Sequence, residues 1–134
     1  MSALSNYLEN ALINHVLRNT AYTTPGTSVY VGLISFYETD KLEAGTLTQE
    51  PSGGSYARVQ VTSWDAPSNG ATQNTNDVTF PTSSADWGMV SGVFVADASS
   101  GGNVLLHGSL TSARDVKNGD VFKFNAGDLD ITFA

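Results

Sequence analysis

The stretch SVYVGLISFY, residues 28–37, places Val29, Val31 and Leu33 on one alternating face and Tyr30, Ile34 and Phe36 on the other. A strand with one wet face alternates apolar with polar residues, whereas a run that is apolar on both faces is covered on both sides. This stretch therefore predicts a central strand, and the rest of the chain must supply its covers. YARVQVTSW (56–64) sets Ala57, Val59 and Val61 against Arg58, Gln60 and Thr62, the pattern of a half-buried strand. Shorter apolar runs follow at DVTF (77–80), MVSGVFVAD (89–97), NVLLHGSL (103–110), DVFKF (120–124) and LDITF (129–133), each bounded by Gly, Asn, Asp or Ser. Between them, DAPSNGATQNTN (65–76) carries the turn signal Asn69-Gly70. GDVFKFNAGDLDITF (119–133) repeats its pattern on both sides of Asn125-Ala126-Gly127 and predicts a hairpin. Many short strands separated by such turns predict a mainly β chain, an antiparallel β-sandwich or a jelly-roll-like barrel.

One segment is written differently. In SALSNYLENALINHVLRNTAY (2–22), Leu4, Leu8, Ala11, Leu12 and Val16 recur at three- and four-residue spacing, while Asn6, Glu9, Asn10, Asn14 and Arg18 fall mainly off that stripe. This predicts one N-terminal helix over about residues 3–20, capped by Ser2 or Ser5 and stopped before Pro25-Gly26. Its stripe Leu4, Leu8, Leu12 and Val16 must be buried, on the chain's own β body (about 28–134) or against a neighbouring subunit. A length of 134 residues fits one domain spanning 1–134.

Composition narrows the function. Charged residues are 14% of the chain, so the surface leans on Ser, Thr, Asn, Gln and Gly. Six Lys and Arg stand against thirteen Asp and Glu for a net charge of −7, and the cations are scattered. Nucleic-acid binding needs a clustered basic face, which is missing. Without cysteine there is no disulfide, thiolate nucleophile or zinc–thiolate site. No run approaches the roughly 20 apolar residues of a membrane-spanning helix, and the first residues lack the pattern of an export signal. The expectation is a soluble protein made in the cytoplasm.

No catalytic, cofactor or metal site stands out. His15 and His107 lie outside any nucleophile or ligand spacing and read as structural histidines. Asn74, Asn76 and Asp77 alternate as in a calcium loop, but Thr79-Phe80-Pro81 replaces its Gly turn and distant Glu. PSGGS and SSGGN lack the Gly-Lys-Ser/Thr of a phosphate loop. Trp64, Trp87, Tyr22, Tyr30, Tyr37 and Tyr56 read as core aromatics before they read as sugar-stacking platforms. The longest loop, ETDKLEAGTLTQEPSGGS (38–55), carries Glu38, Asp40, Glu43 and Glu50, carboxylates that are costly to bury unpaired, and predicts a mobile surface segment able to touch a partner.

Taken in order, NYLENALINHVLR, Tyr56-Ala57-Arg58, Trp64 with Ala66-Pro67, NTNDVTFP, Ala85-Asp86-Trp87-Gly88, Gly101-Gly102-Asn103, Leu105, His107-Gly108 and GDVFKFNAG give a pattern covering nearly the whole chain. It resembles a family of small tailed-phage virion proteins of the tail-fibre-like or capsid-decoration (cement) kind. The resemblance implies a non-enzymatic virion component. Its leading form is a decoration protein that binds the major capsid protein and identical copies of itself, as a homotrimer, and stabilises the head. The alternative form is a tail-fibre or adhesin component that recognises a host-surface glycan. Under either, the helix stripe and the four loop carboxylates are the candidate interface residues, and no cofactor, nucleic acid or membrane is required.

Overall fold

The computed structural model describes residues 3–133. It is mainly β and antiparallel, with the expected N-terminal helix. The strands are β1 (Ala3–Leu4), β2 (Tyr30–Ile34), β3 (Val59–Gln60), β4 (Ala71–Gln73), β5 (Val78–Thr79), β6 (Gly88–Ala96), β7 (Val104–Val116), β8 (Lys123–Phe124) and β9 (Asp130–Thr132), with helices α1 (Asn6–Leu17) and α2 (Thr39–Glu43). Five strands form one sheet in the order β1-β7-β6-β2-β3. β2 is paired on both sides and its residues 31–34 are fully covered, as its two apolar faces require.

The two faces of this sheet have different covers. On one, Val31, Leu33, Val95 and Leu106 share a core with Val78, Phe80, Phe122, Phe124, Leu129 and Ile131 from two short ladders, β4–β9 and β5–β8. These ladders make a second, sandwich-like layer. The aromatic part of that layer is edge-on: Phe80 meets Phe122 with ring centroids 5.8 Å apart, and Phe122 meets Phe124 at 5.2 Å. On the opposite face Ile34, Phe94, Ala96 and Val104 are covered by Leu42 of α2 with Tyr37 and Leu47. Gly32 is required there, since a Cβ at that position would lie 2.3 Å from the Phe94 ring.

Three sequence expectations need correction. The helix is shorter than 3–20, because Leu4 belongs to β1, Ser5 caps the helix by accepting from Leu8 N at 3.2 Å, and the backbone turns to φ 54° at Asn19. The apolar stripe is therefore divided: Leu8 is buried, Leu12 is half-buried, and Val16 is 71% exposed beside Ile13 and Leu17. Ser2 lies outside the described residues. The segment 119–133 is not a hairpin; β8 pairs with β5 and β9 with β4, so NAGD (125–128) turns alongside NTND (74–77) and the ladders join distant parts of the chain. Finally, the 38–55 segment is not a free loop. It forms α2, buries Leu42 and docks on the sheet. Within the leading stretch Phe36 also departs from its expected place, since it lies beyond the end of β2 and is exposed.

The Asn69-Gly70 turn forms as read, with φ of 53° and 76° between paired Ser68 and Ala71. The opening of the NTND segment is scaffold. Asn74 is fully buried, donates to the carbonyls of Asn76 and Asn125 at 2.7 and 3.0 Å, and accepts from Leu129 N at 2.9 Å.

Candidate functional site

A concavity lies where the five-stranded sheet and the β8–β9 segment diverge. β6 and β7 are paired from Gly88↔Val116 to Ala96↔Val104, but the register breaks between Val90↔Arg114 and Gly92↔Ser109. Four residues of β7, Leu110–Ala113, therefore oppose Ser91 alone. Such a bulge bends its strand and leaves main-chain groups outside the ladder. Ser91 itself is turned elsewhere, accepting from Tyr37 N at 2.8 Å and donating to Ser35 O at 3.0 Å. No ladder joins β9 to β7, and a cleft of about 410 Å³ opens between them, within the size range of small-ligand sites.

The cleft has an apolar floor and a polar rim. Leu106, Leu110, Phe122, Phe124 and Leu129 contribute the floor. Ser109, Thr111, Ser112, Arg114, Asp128 and Asp130 are exposed around it. The Arg114 guanidinium sits 5.2 Å above the centroid of Phe122, a cation–π contact that holds it across the floor. One oxygen of Asp128 accepts from Asn125 N at 2.8 Å. The cleft thus sets hydroxyls, a guanidinium and carboxylates beside an apolar surface. Among the described residues no group of His, Asp and Glu is placed to hold a metal ion.

The other polar constellation is on the opposite face and is closed. His107 is buried, with Nδ1 2.8 Å from the Tyr37 hydroxyl and Nε2 3.1 Å from Glu43 Oε1. Burial depresses its pKa, against the pull of the Glu43 carboxylate and a weaker one from Glu9. In the neutral tautomer Nε2–H donates to Glu43 and Nδ1 accepts from Tyr37, so every polar atom of the ring is satisfied. This resembles a catalytic triad in composition only, because its central ring is inaccessible. It clamps α2 to β7. Glu50 does the same for the end of that segment, accepting from Arg58 Nε and Nη2 at 2.9 Å each and from the Tyr56 hydroxyl at 2.7 Å.

The candidate interface residues are therefore scattered. Leu4, Leu8 and Leu12 pack on the core and Val16 faces out, while Glu43 and Glu50 serve internal pairs. Glu38 pairs with Lys41 at 2.8 Å, and Asp40 is exposed in the first turn of α2. None of the eight lines the cleft. Its residues were missed because the signal is a register break between distant strands, which periodicity along one strand does not show.

A family model, that of the podophage GP4 fiber I protein gp80, matches residues 3–132. The chain belongs to the podophage GP4 fiber I protein gp80 family. Among curated proteins no significant match was found. A fiber I family member is a phage virion protein, tail-fibre-like, and this bears out the virion resemblance. Seen as a fiber I fold, the quoted motifs are structural. Tyr56 and Arg58 bracket Glu50, Trp87 donates to Gly54 O at 2.8 Å and meets Tyr56 edge-on at 5.3 Å, and His107 holds α2. No helix of the described residues is long and apolar enough to cross a membrane.

Proposed function

We propose that this fiber I family member is a non-catalytic fibre subunit of a podophage virion that contacts host-surface carbohydrate through the β7 cleft. The observation that carries the reading is the cleft itself: an open concavity with an apolar floor, rimmed by hydroxyls, carboxylates and a guanidinium. The fibre description of the family supports a tail-fibre role over the head-decoration role that leads in the sequence. The contact differs from one made by aromatic stacking. Phe122 and Phe124 are buried, and Phe122 lies under Arg114, so recognition rests on hydrogen bonds with the floor as an apolar support.

The test has two parts. Immunogold labelling of virions locates the chain, with label at fibres and few copies per particle expected; label spread over the head would favour the decoration role. Purified protein should retain host cells or their surface polysaccharide, and a Ser112→Trp variant, which fills the cleft from an exposed bulge position, should not. Equal retention by both proteins would remove the cleft from the reading.

A further inference from the structure

We propose that the Asn69-Gly70 turn is a site of spontaneous covalent modification, at which Asn69 deamidates to aspartate and isoaspartate, while the fold protects the chain's other Asn-Gly bond, Asn118-Gly119. The site lies in the backbone that seats β9 and acts whatever the cleft binds. An asparagine followed by glycine is open to this reaction because no side chain on the following residue hinders its nitrogen from reaching the carboxamide. The Gly70 nitrogen loses its proton to solvent and forms a bond to Asn69 Cγ; the Cγ–Nδ2 bond breaks, and Nδ2 takes up a proton and leaves as ammonia. Water then opens the five-membered succinimide. Opening at Cγ gives aspartate, and opening at the main-chain carbonyl gives isoaspartate, whose backbone runs through Cβ and Cγ. The net exchange is ammonia for water, without oxidation or reduction, and it adds one carboxylate to a chain of net charge −7.

Exposure does not separate the two bonds, since all four residues are exposed. The attacking nitrogen separates them. Gly119 N donates to Ser83 O at 2.8 Å, and Asn118 N donates to Asp86 Oδ1 at 2.8 Å. The same turn is tied again by Ser83 N to Asp120 O at 2.9 Å and by Lys117 N to Asp120 Oδ2 at 2.9 Å, with Ser83 itself buried. The nucleophile at Asn118 is therefore occupied, and freeing it breaks into a network. Gly70 N donates to no carbonyl among the described residues. The brake at Asn69 is only the pair of 3.0 Å bonds between Ser68 and Ala71 that flank the turn.

The fold also fixes the glycine that makes Asn69 labile. Gly70 has φ 76°, and a Cβ there would lie 2.9 Å from Phe133 O. Its own carbonyl accepts from Phe133 N at 2.8 Å, next to the pairing of Ala71 with Thr132 in the β4–β9 ladder. A two-residue turn sets the register of what it joins, so the extra main-chain methylene of isoaspartate displaces Gly70 O from Phe133. Ile131 of β9 lines the cleft, so the change reaches one of its walls.

The experiment incubates the full chain at mildly alkaline pH, folded in buffer and unfolded in urea, and follows the one-dalton gain at each Asn-Gly bond by peptide mapping, with isoaspartyl methyltransferase identifying isoaspartate. The ratio of unfolded to folded rate measures the protection of each bond. Protection at Asn118 should exceed that at Asn69 by about tenfold, the factor that one additional hydrogen bond supplies. Equal protection, greater protection at Asn69, or a folded chain that converts at neither bond would overturn the proposal. Asn69→Gly keeps a turn-compatible pair and should abolish the faster folded-state conversion; persistence of that conversion would place it elsewhere and overturn the assignment. In the isoaspartyl fraction, separated by ion exchange, amide hydrogen exchange should rise at residues 71–73 and 130–133. Unchanged exchange there would overturn the coupling to β9.

Discussion

The guanidinium carbon of Arg58 lies 4.9 Å over the ring centroid of Phe94, while the same side chain donates to both carboxylate oxygens of Glu50 and to the carbonyls of Ala98 and Gly101. One cation thereby joins the 38–55 segment, the central strand β6 and the β6–β7 turn. Its charge is removed from water but fully partnered, which is the condition under which a buried ion is tolerated.

Breaking that arrangement should cost more than the pair contributes. In Glu50→Ala the Arg58 guanidinium stays buried without its counter-ion, and breaking a buried pair from one side costs about 3–5 kcal/mol. Urea unfolding should show a lower midpoint at unchanged slope. Loss of less than about 1 kcal/mol would mean that Arg58 escapes to solvent.

His107 gives the chain a pH-dependent stability. Its native pKa is depressed below the ordinary histidine value, so the unfolded state takes up the proton first. The histidine's contribution is fully present above about pH 6.5 and declines as pH falls from there towards the native pKa. Thermal unfolding from pH 8 to pH 5 should show this decline in the wild type. In His107→Gln the component in that window should vanish, leaving the carboxylate-driven fall at lower pH.

The helix should respond unevenly along its length. Leu8→Ala removes a buried side chain and should cost about 2–5 kcal/mol, Leu12→Ala less, and Val16→Ala within about 0.5 kcal/mol. Chemical denaturation of the three variants checks the gradient. A large loss at Val16 would require a cover for the outward patch it shares with Ile13 and Leu17.

Leu42→Ala tests the docking of α2. Leu42 is 2% exposed and fills the cover over Ile34, Phe94 and Val104. The substitution should cost about 2–5 kcal/mol and raise amide hydrogen exchange over residues 39–49 more than in the ladders. Uniform exchange would mean that α2 unfolds only with the whole molecule.

Asn74→Ala should loosen the second layer. It removes one acceptor and one donating amide from a fully buried position and orphans Leu129 N, each lost partner costing about 1–3 kcal/mol. The near-ultraviolet signal of the aromatic cluster should fall at a lower temperature than in the wild type.

Much of this fold is legible in the sequence, and the misses share a cause. The both-sided hydrophobicity of residues 31–34, the Asn69-Gly70 turn and the Ser5 cap are local signals, read from neighbours along the chain. The pairing of β8 with β5 and of β9 with β4 is non-local, and a repeated pattern around NAG fits a hairpin equally well until the partner strands are known. The acidic segment 38–55 reads as free because the partners of two of its carboxylates lie outside it: Glu50 meets Arg58, and Glu43 meets His107 sixty-four residues away. Val16 continued the stripe in pattern, but the body ends before the last turn of α1. The cleft was invisible for the strongest reason. It is bounded by a register break, a property of two strands together.

The scarcity of cations bears on how the molecule meets proteases. Trypsin-like enzymes cut after Lys or Arg, and the chain offers six such points. Arg58 is sealed in the interior, Lys41 lies within α2, and Arg114 and Lys123 lie in ladders. That leaves Arg18, just past α1, and Lys117, just past β7, as the scissile bonds nearest to open chain. A nick at Arg18 would sever the peptide but not the attachment, because β1 remains paired with Leu106 and His107, Ser5 N donates to Leu105 O at 2.9 Å, and Leu8 stays buried. The subunit would therefore keep its fold after the first cut.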